Sequence, residues 1–273
     1  MTRKVLIKYG GNAMINQSLK DKIAQKVKAL YDEGVQVILV HGGGPFINKA
    51  LESAGIDSSF YDGQRHTSRE ALHYIEKTLK GEVNSSLVGA LNRAGLYAIG
   101  LSGKDGQCVT ATKRWHKGQD ADGNPIKVDL GQVGDVKKVD VRLLHLLMDR
   151  GYTPVLTCIA SDSLGNDFNI NADVFAGKIA AALKVDDYIV LTDVDGLFRN
   201  YPDPKSIIKE LNVKDLPQYY KTVIQGGMIP KMESCSDAIK AGVKRAIILN
   251  GTEPDQIKAY ILEKEKIGTT ITK

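Results

Sequence analysis

Val35-Gln36-Val37-Ile38-Leu39-Val40-His41-Gly42-Gly43-Gly44-Pro45 decides the fold class. Val35 to Val40 is rich in β-branched apolar residues, as strands buried on both faces of a parallel sheet are. It runs directly into three glycines, after which Phe46 to Ala54 reads as a helix. The same order occurs once before. Lys4 to Lys8 reads as a strand, Gly10-Gly11 breaks it, and a helix is expected over about Leu19 to Asp32, closed by Gly34 at its C′ position. Two strand-glycine-helix units within the first 55 residues point to an α/β sheet.

Further on, residues 60–67 are polar and irregular, and two helices are expected at about 68–80 and 82–94, ahead of a strand from Tyr97 to Leu101. Val109 to Trp115 and Ile126 to Asp129 read as a hairpin around the turn-rich residues 120–125. A helix over 140–150 precedes an apolar strand from Thr153 to Ile159. Tyr188 to Leu191 is a strand closed by Thr192-Asp193-Val194-Asp195-Gly196. A helix at 214–221 leads to Gln225-Gly226-Gly227-Met228-Ile229-Pro230-Lys231, where Pro230 suits the first position of a helix reaching about Ala241. Arg245 to Leu249, a helix near 255–264 and Gly268 to Ile271 complete the chain. With no repeat and no linker, the expected fold is α/β: a three-layer αβα sandwich. Its open, mainly parallel central sheet of about eight strands would run through an N-terminal lobe (1–170) and a C-terminal lobe (171–273).

Composition narrows the function. At 273 residues and 42% hydrophobic, the chain can bury a sizeable core. Its net charge of +5 lacks a dense basic run, which fits an anionic small molecule and does not suggest nucleic acid. Cys108, Cys158 and Cys235 are widely spaced and read as reduced thiols of a cytoplasmic protein, not as a metal site. No signal peptide or membrane-length apolar run is present.

The candidate chemistry lies at strand ends. Gly10-Gly11, Gly42-Gly43-Gly44 and Gly226-Gly227 each precede a helix, where bare backbone N–H groups can close on anionic oxygens; tight turning is served equally well. No P-loop, no G-x-G-x-x-G fingerprint and no H-E-x-x-H occurs. Lys8 ends an apolar strand and would face the crevice above the sheet. Lys231 falls in the first turn of its helix, where the macrodipole disfavours a cation, so phosphate neutralisation is a natural task for it. In Asn169-Ile170-Asn171-Ala172-Asp173, Asn171 is placed as an N-cap and Asp173 in the first turn. That carboxylate either favours the helix start or belongs to a site at the strand-to-helix junction. His41 reads as packed in its turn.

Taken in order, these stretches resemble the amino-acid kinase family, and within it the acetylglutamate kinase branch. The resemblance runs through Lys8-Tyr9-Gly10-Gly11-Asn12-Ala13-Met14, His41-Gly42-Gly43-Gly44-Pro45, Gly63-Gln64-Arg65 and Asp129-Leu130-Gly131-Gln132-Val133-Gly134. It continues through Asn169 to Asp173, Thr192 to Gly196, and Gly226 to Lys231. It implies ATP-dependent phosphorylation of the side-chain carboxylate of N-acetyl-L-glutamate, with Mg²⁺ held mainly by the phosphates and no protein metal site. By the same resemblance, Lys8 would bridge the transferring phosphoryl group, Lys231 would steady the leaving ADP, and Asp173 would hold both ammonium groups. Gly43 and Gly44 would offer N–H groups to the reacting anion. Arg65 would pair the substrate α-carboxylate, Asn169 the acetamido group, with Asn171 beside it. Gly10, Gly11, Thr192, Asp193, Gly196, Gly227 and Met228 would line the nucleotide.

The chemistry is consistent with those residues. A carboxylate is already ionised at neutral pH, so its attack needs no general base, and the task is to bring two anions together. The rivals are a kinase for N-succinylglutamate or carrier-linked aminoadipate, and a non-catalytic sensor of the same fold. The resemblance also implies a homodimer. The arginine-inhibited members carry a helix before the first strand, and none precedes Arg3-Lys4 here, so arginine insensitivity is expected.

Overall fold

The computed structural model describes residues 2–11, 14–61, 64–119, 124–220 and 222–273. Asn12, Ala13, Gly63, the turn at 120–123 and Lys221 therefore lie outside the described residues. The chain runs β1 (Lys4–Tyr9), α1 (Gln17–Asp32), β2 (Gln36–His41), α2 (Gly44–Ser53), β3 (Phe60–Tyr61), β4 (Gln64–Arg65), α3 (Arg69–Glu76), α4 (Ser85–Arg93) and β5 (Ala98–Ser102). Next come β6 (Val109–Gln119), β7 (Pro125–Val139), α5 (Arg142–Asp149), β8 (Thr153–Thr157), β9 (Ile159–Ser161), β10 (Asp167–Ile170) and α6 (Ala172–Leu183). The last are β11 (Asp187–Thr192), β12 (Glu210–Asn212), α7 (Met228–Lys240), β13 (Arg245–Asn250), α8 (Asp255–Ile261) and β14 (Thr269–Thr272).

Eight strands form one sheet in the order β12-β14-β13-β11-β1-β2-β8-β5. Neighbours are parallel except the antiparallel pair β13 and β14. The central strands read as apolar runs because both of their faces are covered. Leu6, Ile38, Val40, Leu156, Tyr188 and Ile248 pack on one side, and Val5, Ile7, Val37, Leu39, Ile189 and Leu249 on the other. The result is the expected three-layer α/β architecture. Helix α1 shows the local logic. Asn16 Oδ1 accepts from Leu19 N at 3.1 Å, and Ile23, Val27 and Leu30 bury one face. Gly34, at φ +76°, stops the helix, and Val35 N donates back to Leu30 O.

Several expectations need correction. The hairpin is longer than expected, and β6 and β7 close with β9 and β10 into a four-stranded barrel whose β10 leads straight into α6. The strand expected over 153–159 is broken at Cys158 into β8 and β9, and residues 60–65 contain the ribbon of β3 and β4. The helix expected over 214–221 is a 3₁₀ helix at Val213–Gln218, and α8 ends at Ile261. Pro230 is the third residue of α7, not the first.

The two helices expected over 68–94 form one rod, in which a π-helical stretch, Lys77–Asn84, joins α3 to α4. Its buried residues Ile75, Leu79, Val83, Leu87 and Leu91 recur every four positions. That spacing drifts about 40° per step around an α-helix. The wider i→i+5 turn absorbs the drift and keeps these side chains buried as the rod passes from one core, joined by Ile75 and Leu79, to the other, joined by Val83, Leu87 and Leu91.

Candidate active site

Strands β1, β2 and β11 are neighbours and parallel, so their C-terminal ends share one edge, where an open α/β sheet leaves its crevice. Lys8 ends the apolar run of β1 there, in register with Val40 and Val190. The crevice is closed from above by the first turns of two helices. Asn171 caps α6, its Oδ1 accepting from Asp173 N at 2.9 Å and Val174 N at 3.2 Å. With the cap supplied by Asn171, the Asp173 side chain is free to point inward, and Asp173 is only 5% exposed. Helix α7 packs on α6 through Gly177, where a Cβ would come within 3.0 Å of Ser234 O. The Tyr188 hydroxyl donates to Asp173 O at 3.3 Å and meets Ser234 Oγ at 3.1 Å, fastening both helices to β11.

This packing gathers the three charged residues. Lys8, also 5% exposed, sets its Nζ 2.9 Å from Asp173 Oδ1, and Lys231 Nζ lies 3.4 Å from Oδ2. Lys231 Nζ also donates to Gly227 O at 3.3 Å. Burial pushes the Asp173 carboxyl up, but the ammonium groups of Lys8 and Lys231 outweigh it, and the carboxyl titrates below the ordinary range. Burial and the Lys8 charge lower the Lys231 ammonium more than Asp173 raises it. An ionised Asp173 held between two donors is a weak base and a firm bracket. The cluster carries two positive charges against one negative, so it suits an incoming anion.

Glycines line the approach. A Cβ on Gly10 would sit 2.9 Å from Lys8 Nζ, and one on Gly11, at φ +75°, would sit 2.8 Å from Asp193 Oδ1. A Cβ on Gly42 would come 3.2 Å from Ala172 Cβ in α6, while one on Gly43 would press on Leu79 Cδ2 at 2.6 Å. Gly44 opens α2, whose first N–H groups have no intrahelical acceptor. Met228 opens α7 directly after Gly227. The Thr192–Gly196 turn is tied down elsewhere. Thr192 O accepts from Gly251 N at 2.7 Å and Asp195 Oδ1 from Asn250 Nδ2 at 2.8 Å. A Cβ on Gly196 would meet Thr269 Oγ1 at 2.7 Å.

Arg65 stands apart from the charged trio. Its guanidinium donates to Ser58 Oγ and Asn48 Oδ1 and lies 4.5 Å from the Phe60 ring centroid. Backbone pairing nevertheless connects it to Asn169. Thr67, two residues on, bridges to Gly131, and Val133 pairs with Asn169. The glycines of the 129–134 stretch serve that pairing, since a Cβ at Gly131 would overlap Thr67 O and one at Gly134 would meet Phe168 Cβ at 2.7 Å. Sequence reading passed over Tyr188 and Asn84. Asn84 carries no signal of its own in the sequence, since Glu82, Ser85 and Ser86 make the surrounding stretch polar.

A carboxylate bracketing two lysines at the open end of a parallel sheet, beside glycine-rich helix starts, is the arrangement of a phosphoryl-transfer enzyme without a P-loop. The model of the amino acid kinase family matches residues 3–250, and the chain belongs to that family. Within it, the chain is 42% identical to an acetylglutamate kinase of Methanocaldococcus jannaschii, over 98% of this chain and 90% of the relative. It is 40% identical to the acetylglutamate kinase of Heliobacterium modesticaldum, over 99% and 92%. A solved structure from Streptococcus mutans UA159 superposes with a TM-score of 0.80 at 29% identity, covering 100% of this chain and 99% of that one.

Proposed function

We propose that the chain phosphorylates the side-chain carboxylate of N-acetyl-L-glutamate with ATP, giving N-acetyl-L-glutamyl 5-phosphate for arginine biosynthesis. The observation that carries the chemistry is the Asp173 carboxylate held between Lys8 and Lys231 in a nearly dry crevice. The nucleophile arrives ionised, so what the protein must supply is charge neutralisation and alignment. Lys8 neutralises the transferring phosphoryl group and Lys231 the leaving phosphates. Asp173 orients both ammonium groups and takes no proton. Gly43 and Gly44 offer N–H groups to the reacting anion, Arg65 and Asn169 hold the acyl amino acid, and Asn171 keeps the helix start in place beside them.

Residues 1–170 are assigned to the acyl amino acid and 171–273 to the nucleotide, with Gly10, Gly11, Thr192, Asp193, Gly196, Gly227 and Met228 on the nucleotide side. Mg²⁺ enters with ATP as part of the substrate. Among the described residues no cluster of three or more His, Cys, Asp or Glu side chains could hold a metal. Among the described residues no helix is long and apolar enough to cross a membrane. A homodimer through the N-terminal half is in keeping with the exposed Tyr97 and Tyr152, stacked edge to face 6.3 Å apart.

A coupled ADP-release assay across N-acetylglutamate, glutamate, N-succinylglutamate and aminoadipate tests the assignment. N-acetylglutamate is expected to lead, since free glutamate leaves the amide-binding group unpaired, a penalty of about 1–3 kcal/mol. Equal turnover of free glutamate would sink it.

A further inference from the structure

Beneath the Gly42–Gly44 loop runs a buried polar chain that the chemistry above leaves unexplained. His41, the last residue of β2, is fully buried. Its Nδ1 lies 2.8 Å from Gly42 O, and its Nε2 lies 2.8 Å from Asn84 Nδ2. Asn84 Nδ2 also donates to Val155 O at 3.0 Å, so both amide hydrogens have acceptors and the amide orientation is settled. An amide donor facing Nε2 leaves the ring proton on Nδ1, which then donates to Gly42 O. Burial keeps the ring neutral, its pKa drawn down to about 4.

Two further contacts show that the chain is built in. Strand β5 passes Asn84 at Gly100, where any Cβ would overlap Asn84 Oδ1. Asn84 itself closes the π-helical stretch, whose widened turn brings it onto the sheet-facing side beside Val83. The consequence for the loop follows from peptide planarity. The C=O and N–H of one trans peptide point in opposite directions, so a Gly42 carbonyl tied to the ring turns the Gly43 N–H away from it. The Gly42 N–H is fastened in turn to Tyr9 O at 3.3 Å. Both peptides flanking Gly42 are therefore fixed, although glycine would leave them free to turn.

We propose that His41 and Asn84 are positioning residues, whose buried hydrogen-bond chain sets the Gly42–Gly43 peptide so that the Gly43 N–H faces the reacting anion. This rests on the reading of Gly43 as an anion-facing donor. Two substitutions separate positioning from mere packing. In His41→Asn the amide nitrogen can take the place of Nδ1 and keep the bond to Gly42 O. In His41→Gln the amide oxygen can take the place of Nε2, which keeps Asn84 satisfied but loses the tie to the loop. By size, glutamine is the closer substitute. The expected result is a kcat with N-acetylglutamate and ATP within a few-fold of wild type for His41→Asn, and a loss of about 10- to 100-fold for His41→Gln, with KM for ATP unchanged in both. Equal losses, or glutamine outperforming asparagine, would overturn the proposal.

A second measurement needs neither variant to fold well nor the substrate to be correct. Long-range proton–nitrogen NMR of the wild-type ring should show Nδ1 protonated and Nε2 bare. A proton on Nε2 would also overturn the proposal. If the wild type ignores N-acetylglutamate while the ring keeps its Nδ1 proton, the substrate assignment has failed and the positioning chain stands.

Discussion

The loops after β1 and β2 lie side by side, in register at Tyr9 and His41, and both end an apolar strand on glycines. They are held in opposite ways. The first lies against charged side chains: Gly10 makes room for the Lys8 ammonium and Gly11 for Asp193. The second is fixed from beneath by neutral groups, the His41 ring and Asn84, with Leu79 pressed against Gly43. The same residue type thus serves two purposes. In the first loop glycine clears space for charged side chains, and in the second it clears space for packing against the backbone.

The sharpest way to break this contrast is to remove charge from the first loop's cluster. Lys8→Ala and Lys231→Ala should each lower kcat by roughly 10²–10³-fold in steady-state assays, with little change in KM for the acyl amino acid. Wild-type turnover in Lys8→Ala would reduce the first loop to a plain turn. Asp173→Asn should lose comparable activity and also about 3 kcal/mol of stability in denaturant titrations, because the buried Lys8 and the half-buried Lys231 ammonium groups lose their counter-charge.

Arg65, outside both loops, supplies the control. Arg65→Ala should raise KM for N-acetylglutamate roughly 10- to 100-fold and leave KM for ATP nearly untouched. A joint rise would mean that Arg65, through Asn48 and Ser58, supports the fold rather than the substrate.

Paired glycine substitutions sharpen the contrast directly. The added methyl of Gly10→Ala meets only the tip of Lys8, which a small shift of that side chain can relieve, so melting should change less than turnover. The methyl of Gly43→Ala meets buried Leu79, so about 1–3 kcal/mol of stability should be lost, and Leu79→Ala should restore part of it. Identical melting temperatures for the two variants would contradict a packed second loop.

The smallest effect is in pH. The His41 ring stays neutral in the folded chain down to about 4, whereas the unfolded chain takes up its proton near 6.5. The unfolded state therefore binds more protons in that interval, and stability falls as pH drops through it. About 1 kcal/mol should be lost between pH 7 and 5.5, seen as a shift in denaturation midpoint that His41→Asn abolishes.

How much of this the sequence carries depends on what made each element. β1, β2, β11 and β13 are legible because burial on both faces makes them nearly unbroken apolar runs. Lys8 and Lys231 stand out because each is a cation where a buried strand end or a helix start would not otherwise place one, whereas Asp173 is ambiguous, since a first-turn carboxylate also favours a helix start. The barrel is obscured because β7, with Lys127, Asp129, Asp135, Lys137 and Lys138, turns much of its surface to water. The π-helical stretch hides for a different reason: spacings of four fit an α-helix locally, and the drift shows only over several turns. β12 is three residues long, and its pairing with β14 is a long-range choice that no local pattern records. Pro230 at the third helical position costs nothing there, since the first N–H groups of a helix lack partners anyway.

A chain leaving the ribosome from its N-terminus completes one half of the sheet well before the other. β1, β2, β8 and β5 are contiguous and finish at Thr157, and the barrel strands finish at Ile170. A nascent domain can therefore collapse around them while Asp187–Thr192 is still inside the ribosome. Its weak point is β1: the backbone groups of residues 5–8 that will pair with residues 187–190 stay open, on an apolar strand inviting pairing with another chain. Translation speed through the residues just beyond α6 thus governs how long that edge is exposed, and Lys231 joins the charge cluster only when synthesis is nearly over.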